Sequence, residues 1–196
     1  MQYIDKKLTM PMEVQNWIKK NNPKEWLSDK EEEIYIILRE QLRQEQNNLC
    51  CYCCQALKEY VKIEHIKSRD KYKKLIYKYD NLLLSCTTPK QCDNAKGNQD
   101  LLLTPLMQEC DDELKINFAG ELEAKTDRAK QAIEILNLNN RKLCEKRRAK
   151  IDMIKFTFDP NSILMPPVKV LDKDTLHSMI IGEQYFEFQY ILKKLN

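Results

Sequence analysis

Residues 61–70 read VKIEHIKSRD. Val61 and Ile63 alternate with Lys62 and Glu64, the period-two pattern of a strand. The run ends with a carboxylate and an imidazole side by side, Glu64 and His65. Only two histidines occur in the chain, His65 and His177, and no motif surrounds the second. Adjacent strand residues face opposite sides. At a strand end the turning backbone relaxes that rule, so an acid and a base can be brought to one reacting centre.

The surroundings of this stretch are rich in cysteine. Cys50-Cys51-Tyr52-Cys53-Cys54 contains two overlapping CxxC pairs, Cys50/Cys53 and Cys51/Cys54. A CxxC turn brings two thiolates to one point with backbone amides aimed at the sulfurs, which suits half of a tetrahedral zinc site. Cys86 and Cys92, on either side of TTPKQ, supply a second half with a wider gap than the usual two to four or so residues. The expected structural zinc ligands are Cys50, Cys53, Cys86 and Cys92, with the choice between the two overlapping CxxC pairs left open by the sequence. Cys51, Cys54, Cys110 and Cys144 then read as buried thiols. Eight cysteines in a reducing compartment point to metal or buried thiols before disulfides.

Working outward, residues 11–22 read as an amphipathic helix with Val14, Trp17 and Ile18 on one face. Ser28 and Glu31 form a capping-box pattern for a second helix running to about Asn47, with Ile34, Ile37, Leu38 and Leu42 as its buried stripe. Residues 82–85 read as a second short strand and 93–99 as a short helix, so the middle of the chain is strand, strand, helix. Residues 126–156 return to helix, with Ile133, Leu136 and Leu143 on the apolar face and a break at 137–140. Residues 172–194 read as a last helix. The expectation is an α+β fold, mainly helical, in four segments: 1–48, 49–100 carrying the zinc knuckle, 101–158, and 159–196. The aromatic and apolar content of 160–196 reads either as packing on its own domain or as a docking surface for a partner.

The chain has 196 residues, 32% of them charged, and a net charge of +3. No apolar run approaches the roughly 18 residues of a membrane helix, and no signal-peptide core is visible at the N-terminus. A cytoplasmic protein without membrane contact is expected. Charge is unevenly spread. Residues 58–78 hold eight Lys/Arg against three Asp/Glu, and 140–150 hold six against one. The first run surrounds the Glu-His pair. The second reads as a solvated helix face or the lining of a nucleic-acid groove.

Taken in order, C-x-Y-C, I-E-H-I, Y-D-N-L-L-L-S-C and C-D-N-A-K-G-N resemble the zinc-supported HNH endonucleases, whose ββα-metal module matches residues 49–100. The flanks, including PLMQEC at 105–110 and EILNLNNRKLCEKRR at 134–148, resemble the HNH subunit of Septu-type and retron-associated anti-phage systems. The resemblance implies an endonuclease that cleaves phosphodiester bonds, DNA by default with RNA and tRNA left open, in company with an ABC-like ATPase. It makes His65 the general base and Glu64 an acidic ligand for catalytic Mg²⁺ (or Mn²⁺). Asn81 matches the middle Asn, which holds the histidine's loop. The third position falls on Asn94 by residue type or on Asp93 by counting from the cysteine, and residue type favours Asn94. Lys67, Arg69 and Lys96 are the expected phosphate contacts. The alternative is a zinc-supported nucleic-acid-binding or scaffold subunit without catalysis. The base, the acid and the amide are all present, which favours the nuclease.

Overall fold

The computed structural model describes residues 1–26 and 33–155, together with 187, 190, 191, 193 and 194. Helix α1 (Met12–Asn21) follows Pro11 and closes at Asn22, whose left-handed conformation turns its amide onto the Ile18 carbonyl. Val14 is its buried residue, with Trp17 and Ile18 packed half-buried on the core. Helix α2 (Glu33–Glu45) buries Ile34, Tyr35, Leu38 and Leu42. The expected capping box at Ser28 lies outside the described residues.

Strand β1 (Val61–His65) pairs antiparallel with β2 (Leu82–Cys86), Val61 opposite Cys86 and His65 opposite Leu82. Leu82, Leu83 and Leu84 are wholly buried, as a strand covered on both faces requires. The open edge of β2 is closed without a third strand. The side chain of the buried Gln46 accepts from the Leu84 amide at 2.6 Å and donates to the Leu84 carbonyl at 3.0 Å, and Cys51 N donates to that same carbonyl at 2.9 Å. The backbone polar groups of β2 are thereby satisfied by α2's C-terminal turn and by the cysteine-rich turn.

Between β1 and β2 runs a long basic loop with tight turns at Lys73–Leu75 and Tyr79–Asn81. Helix α3 (Asp93–Lys96) follows β2 as a single turn, so strand, strand and helix occur in the expected order. Helix α4 (Cys110–Glu113) leads directly into a hairpin of β3 (Leu114–Ile116) and β4 (Leu122–Ala124). The sequence gives little sign of this hairpin, because three-residue strands are too short to show a period. Its turn needs Gly120: φ is +83°, and a Cβ there would lie 2.3 Å from the Cys144 carbonyl oxygen.

Helices α5 (Asp127–Ile135) and α6 (Arg141–Lys155) are separated at the predicted break. Thr126 caps α5 by accepting from the Ala129 amide. Arg147 of α6 is 1% exposed and donates to the Gly120 and Leu138 carbonyls at 3.0 and 2.8 Å. That corrects the groove reading for this residue: it ties α6 to the β3–β4 turn and faces no solvent. Of the C-terminal segment, Tyr190 and Ile191 are buried and the Met1 amine donates to the Tyr190 hydroxyl at 3.1 Å, so these residues pack on their own chain. His177 and the rest of the predicted last helix lie outside the described residues. Among the described residues, no helix is long and apolar enough to cross a membrane.

Candidate functional site

The sulfurs of Cys50, Cys53, Cys86 and Cys92 all lie within 4.8 Å of one another. A zinc ion with Zn–S bonds of about 2.3 Å requires sulfurs about 3.8 Å apart at tetrahedral corners, and Cys50 and Cys92 Sγ are 3.8 Å apart. The Cys86 amide donates to Cys50 Sγ at 3.3 Å, and Gln91 Nε2 reaches Cys86 and Cys92 Sγ at 3.7 and 3.6 Å. These donors favour the thiolate form. The four sulfurs titrate as a set: burial acts to raise the Cys50 thiol, yet contacts from its neighbours hold it well below the ordinary range, while Cys53 and Cys92 are pushed well above it. The knuckle backbone is turned sharply at Cys54 and Cys92, both with positive φ. The donor set therefore fits a structural metal such as zinc. Of the two overlapping pairs, Cys50/Cys53 meets the second half-site. Cys51 and Cys54 are buried without joining it, and Cys110 donates to the Thr104 carbonyl at 2.8 Å.

A cleft of about 520 Å³ opens beside this knuckle, lined by Glu64, His65, Arg69, Asp93 and Lys96 among others. Glu64, at the end of β1, is 3% exposed. Its Oε1 accepts from the Tyr52 hydroxyl and from Lys96 Nζ, both at 2.8 Å. Asp93 lines the same cleft, with Lys62 Nζ 3.2 Å from its Oδ2. Burial, then the Asp93 contact, push Glu64 up to about 8, while Lys96 works the other way. Burial also acts to raise Asp93, but the Glu64 contact and the Lys62 charge hold it below the usual carboxylate range. The two carboxyls are thereby driven apart, Glu64 toward its protonated form and Asp93 toward its charged one.

His65 Nε2 lies 3.0 Å from the Ile76 carbonyl oxygen. A carbonyl only accepts, so Nε2 carries the proton and Nδ1 is left as the basic nitrogen. Trp26 packs edge-on against the ring, with centroids 4.5 Å apart. Burial lowers the imidazole to about 4, opposed by the Ile76 hydrogen bond, so the ring is neutral at physiological pH.

Asn81 stands behind the histidine. Its Oδ1 accepts from the Lys67 amide at 2.8 Å, and its Nδ2 donates to the Lys67 and Leu75 carbonyls at 3.0 and 3.1 Å. Its own carbonyl accepts from the Ile66 amide. One side chain therefore pins both ends of the loop leaving His65.

At the third position the structure separates the two candidates. Asp93 meets Glu64. Asn94 also lines the cleft, donating to the Thr87 and Thr88 carbonyls at 3.0 Å and accepting from Lys62. The physical reason is helix direction: Asp93 is the first residue of α3 and faces the β1 end, whereas Asn94 folds back over the 87–88 turn. Both residues line the cleft, Asp93 with a carboxyl and Asn94 with an amide engaged by the 87–88 turn and by Lys62. The phosphate contacts divide as well. Arg69 is exposed at the cleft, and Lys67 is half-exposed, 3.5 Å from Asp100. Lys96 differs from the expectation. It is 1% exposed, and its Nζ is committed to Glu64 and to the His65 carbonyl at 3.0 Å, so it faces the carboxylate and no free surface. Sequence reasoning missed Tyr52 as a Glu64 partner, although the C-x-Y-C spacing carries it. It also missed Trp26, for which no local signal exists.

Fold and site together define an α+β protein in which a buried four-cysteine metal-ligand cluster adjoins an acid–imidazole cleft. In sequence the chain is 32% identical over 100 residues to the Septu protein PtuB of Bacillus thuringiensis. The aligned part is 47% of this chain and spans 37% of that protein. No family model matches the chain.

Proposed function

We propose that the protein is a metal-dependent endonuclease of the HNH type, acting as the effector subunit of a Septu-like anti-phage defence system together with an ABC-like ATPase. One observation carries the reading. A neutral imidazole with its tautomer locked faces the same cleft as the carboxyls of Glu64 and Asp93, on a strand–strand–helix unit braced by four cysteines. The likeness to a Septu protein supports the defence setting.

The donor set of the cleft fits a divalent cation, because Glu64 and Asp93 line it with two carboxyls, the hard oxygen donors that Mg²⁺ prefers. Glu64 and Asp93 would hold Mg²⁺ or Mn²⁺, which supplies Lewis-acid stabilisation of charge on the phosphate and the leaving oxygen. The remaining work falls to this chain's own groups. His65 Nδ1 takes the proton of the attacking water. Its Nε2 bond to Ile76 fixes the ring while it does so, and Asn81 fixes the loop that supplies Ile76. An anionic phosphate entering the cleft favours the imidazolium and strengthens the base. Arg69 and Lys67 position phosphates without reading sequence. DNA is the default substrate.

The test is to incubate the protein and its His65→Ala variant with plasmid DNA and with tRNA, with and without Mg²⁺. Cleavage that needs both His65 and Mg²⁺ is the expected result, and the substrate cut names the class. If the isolated protein is silent, the assay is repeated with the ATPase subunit and nucleotide. Silence there overturns the nuclease and leaves a zinc-supported binding subunit.

A further inference from the structure

Glu64 takes two donors on the same oxygen. Lys96 Nζ reaches Oε1 from α3, and the Tyr52 hydroxyl reaches it from the cysteine turn, each at 2.8 Å. Both contacts fall on Oε1, so the pair restrains the rotation of the carboxyl group of a residue that lines the cleft. Tyr52 is wholly buried and lies in the three-bond turn between Cys50 and Cys53. That turn is tied at its ends, with Cys50 N donating to the Gln55 carbonyl at 2.9 Å, Cys54 N to the Cys50 carbonyl at 3.0 Å and Cys51 N to the Leu84 carbonyl of β2. Drawing the Cys50 and Cys53 sulfurs onto one ion fixes the backbone from which the phenol projects. A carboxylate oxygen only accepts, so in this bond the phenol is the donor.

We infer that Tyr52 is a positioning residue through which the four-cysteine knuckle orients Glu64, so that the structural metal site and the cation site of the cleft are coupled through one hydroxyl. The inference rests on the reading of Glu64 as a cation ligand. Removing a hydrogen-bond partner that orients a ligating carboxylate typically costs 10–100-fold in metal affinity. A Tyr that only fills the core has no such effect, because phenylalanine fills the same space.

Mn²⁺ binding to the zinc-loaded protein, read by the loss of the free-ion electron paramagnetic resonance signal, separates the two. Tyr52→Phe is expected to weaken Mn²⁺ binding about tenfold while zinc content stays equal to that of the parent. Unchanged Mn²⁺ affinity in a folded, zinc-replete Tyr52→Phe protein overturns the inference and leaves the cation site standing. No Mn²⁺ binding by the parent, or binding indifferent to Glu64→Gln, overturns the cation site and the inference with it. A measurement on the intact side chain covers a variant that does not fold. With 3-fluorotyrosine incorporated, the resonance assigned to position 52 is expected to shift during Mg²⁺ titration with the same midpoint as binding. A resonance that does not move overturns the coupling.

Discussion

Replacing Glu64 with glutamine isolates the energetic cost of holding a carboxyl in this cleft. Burial and the neighbouring Asp93 raise Glu64 from an ordinary 4.5 to about 8. Below about pH 4.5 the group is protonated in both folded and unfolded chains, and its contribution to stability is fully present. Between 4.5 and 8 the unfolded chain gives up the proton and the folded chain keeps it, so the unfolded state binds fewer protons and stability falls as pH rises. Above about 8 the loss is complete. A displacement of that size is worth roughly 4–5 kcal/mol, a large share of the 5–15 or so kcal/mol that holds a typical domain. The assay is urea unfolding of zinc-loaded parent and Glu64→Gln protein at about pH 5 and about pH 8.5, without added Mg²⁺. The parent is expected to lose several kcal/mol more than the variant over this range. Equal losses in the two proteins would refute the reasoning, since glutamine has nothing to titrate. Mg²⁺ added at the higher pH is expected to restore stability to the parent and not to the variant, by binding the ionised pair.

Three further outcomes follow from the geometry. Asp93→Asn is expected to weaken Mn²⁺ binding at least tenfold, whereas Asn94→Ala leaves it within about threefold; titration of both variants checks the assignment, and the reverse order would give the ligand role to Asn94. Cys92→Ser is expected to abolish stoichiometric zinc and lower the melting temperature, while Cys51→Ser keeps its zinc, as metal analysis of the purified variants will show. Asn81→Ala removes three side-chain hydrogen bonds that hold the loop after His65. It is expected to cost about 2–3 kcal/mol in urea unfolding and to increase amide exchange in residues 66–76, with a rigid loop in the variant counting against the bracing role.

The sequence displays those parts of the fold whose pattern is local. The two strands of the central unit alternate or run apolar, the α1 face repeats at helical spacing, and the break between α5 and α6 is marked by asparagines. The pairing of Cys50/Cys53 with Cys86/Cys92 is visible because thiolate chemistry restricts the spacing. What escapes is set by tertiary approach. Lys96 looks like a surface cation because lysines usually are; only the packing of α3 against the β1 end commits it to Glu64. Asp93 and Asn94 are neighbours in the chain, and the direction of one helical turn decides which meets the acid. Trp26 reaches His65 across almost forty positions, and Gln46 replaces a missing strand with a side chain. None of these has a period or a spacing to read.

The edge-on contact between Trp26 and His65 makes the cleft self-reporting. The chain has two tryptophans, Trp17 and Trp26. Trp17 lies against Tyr77 with centroids 6.1 Å apart, and Tyr77 in turn packs on Trp26. An indole beside a ring that gains charge changes its emission, so with Trp17 replaced by phenylalanine the remaining tryptophan signal comes from the wall of the cleft. Protonation of the base and the arrival of a polyanion can then be followed in real time, in a single cuvette and without any attached dye.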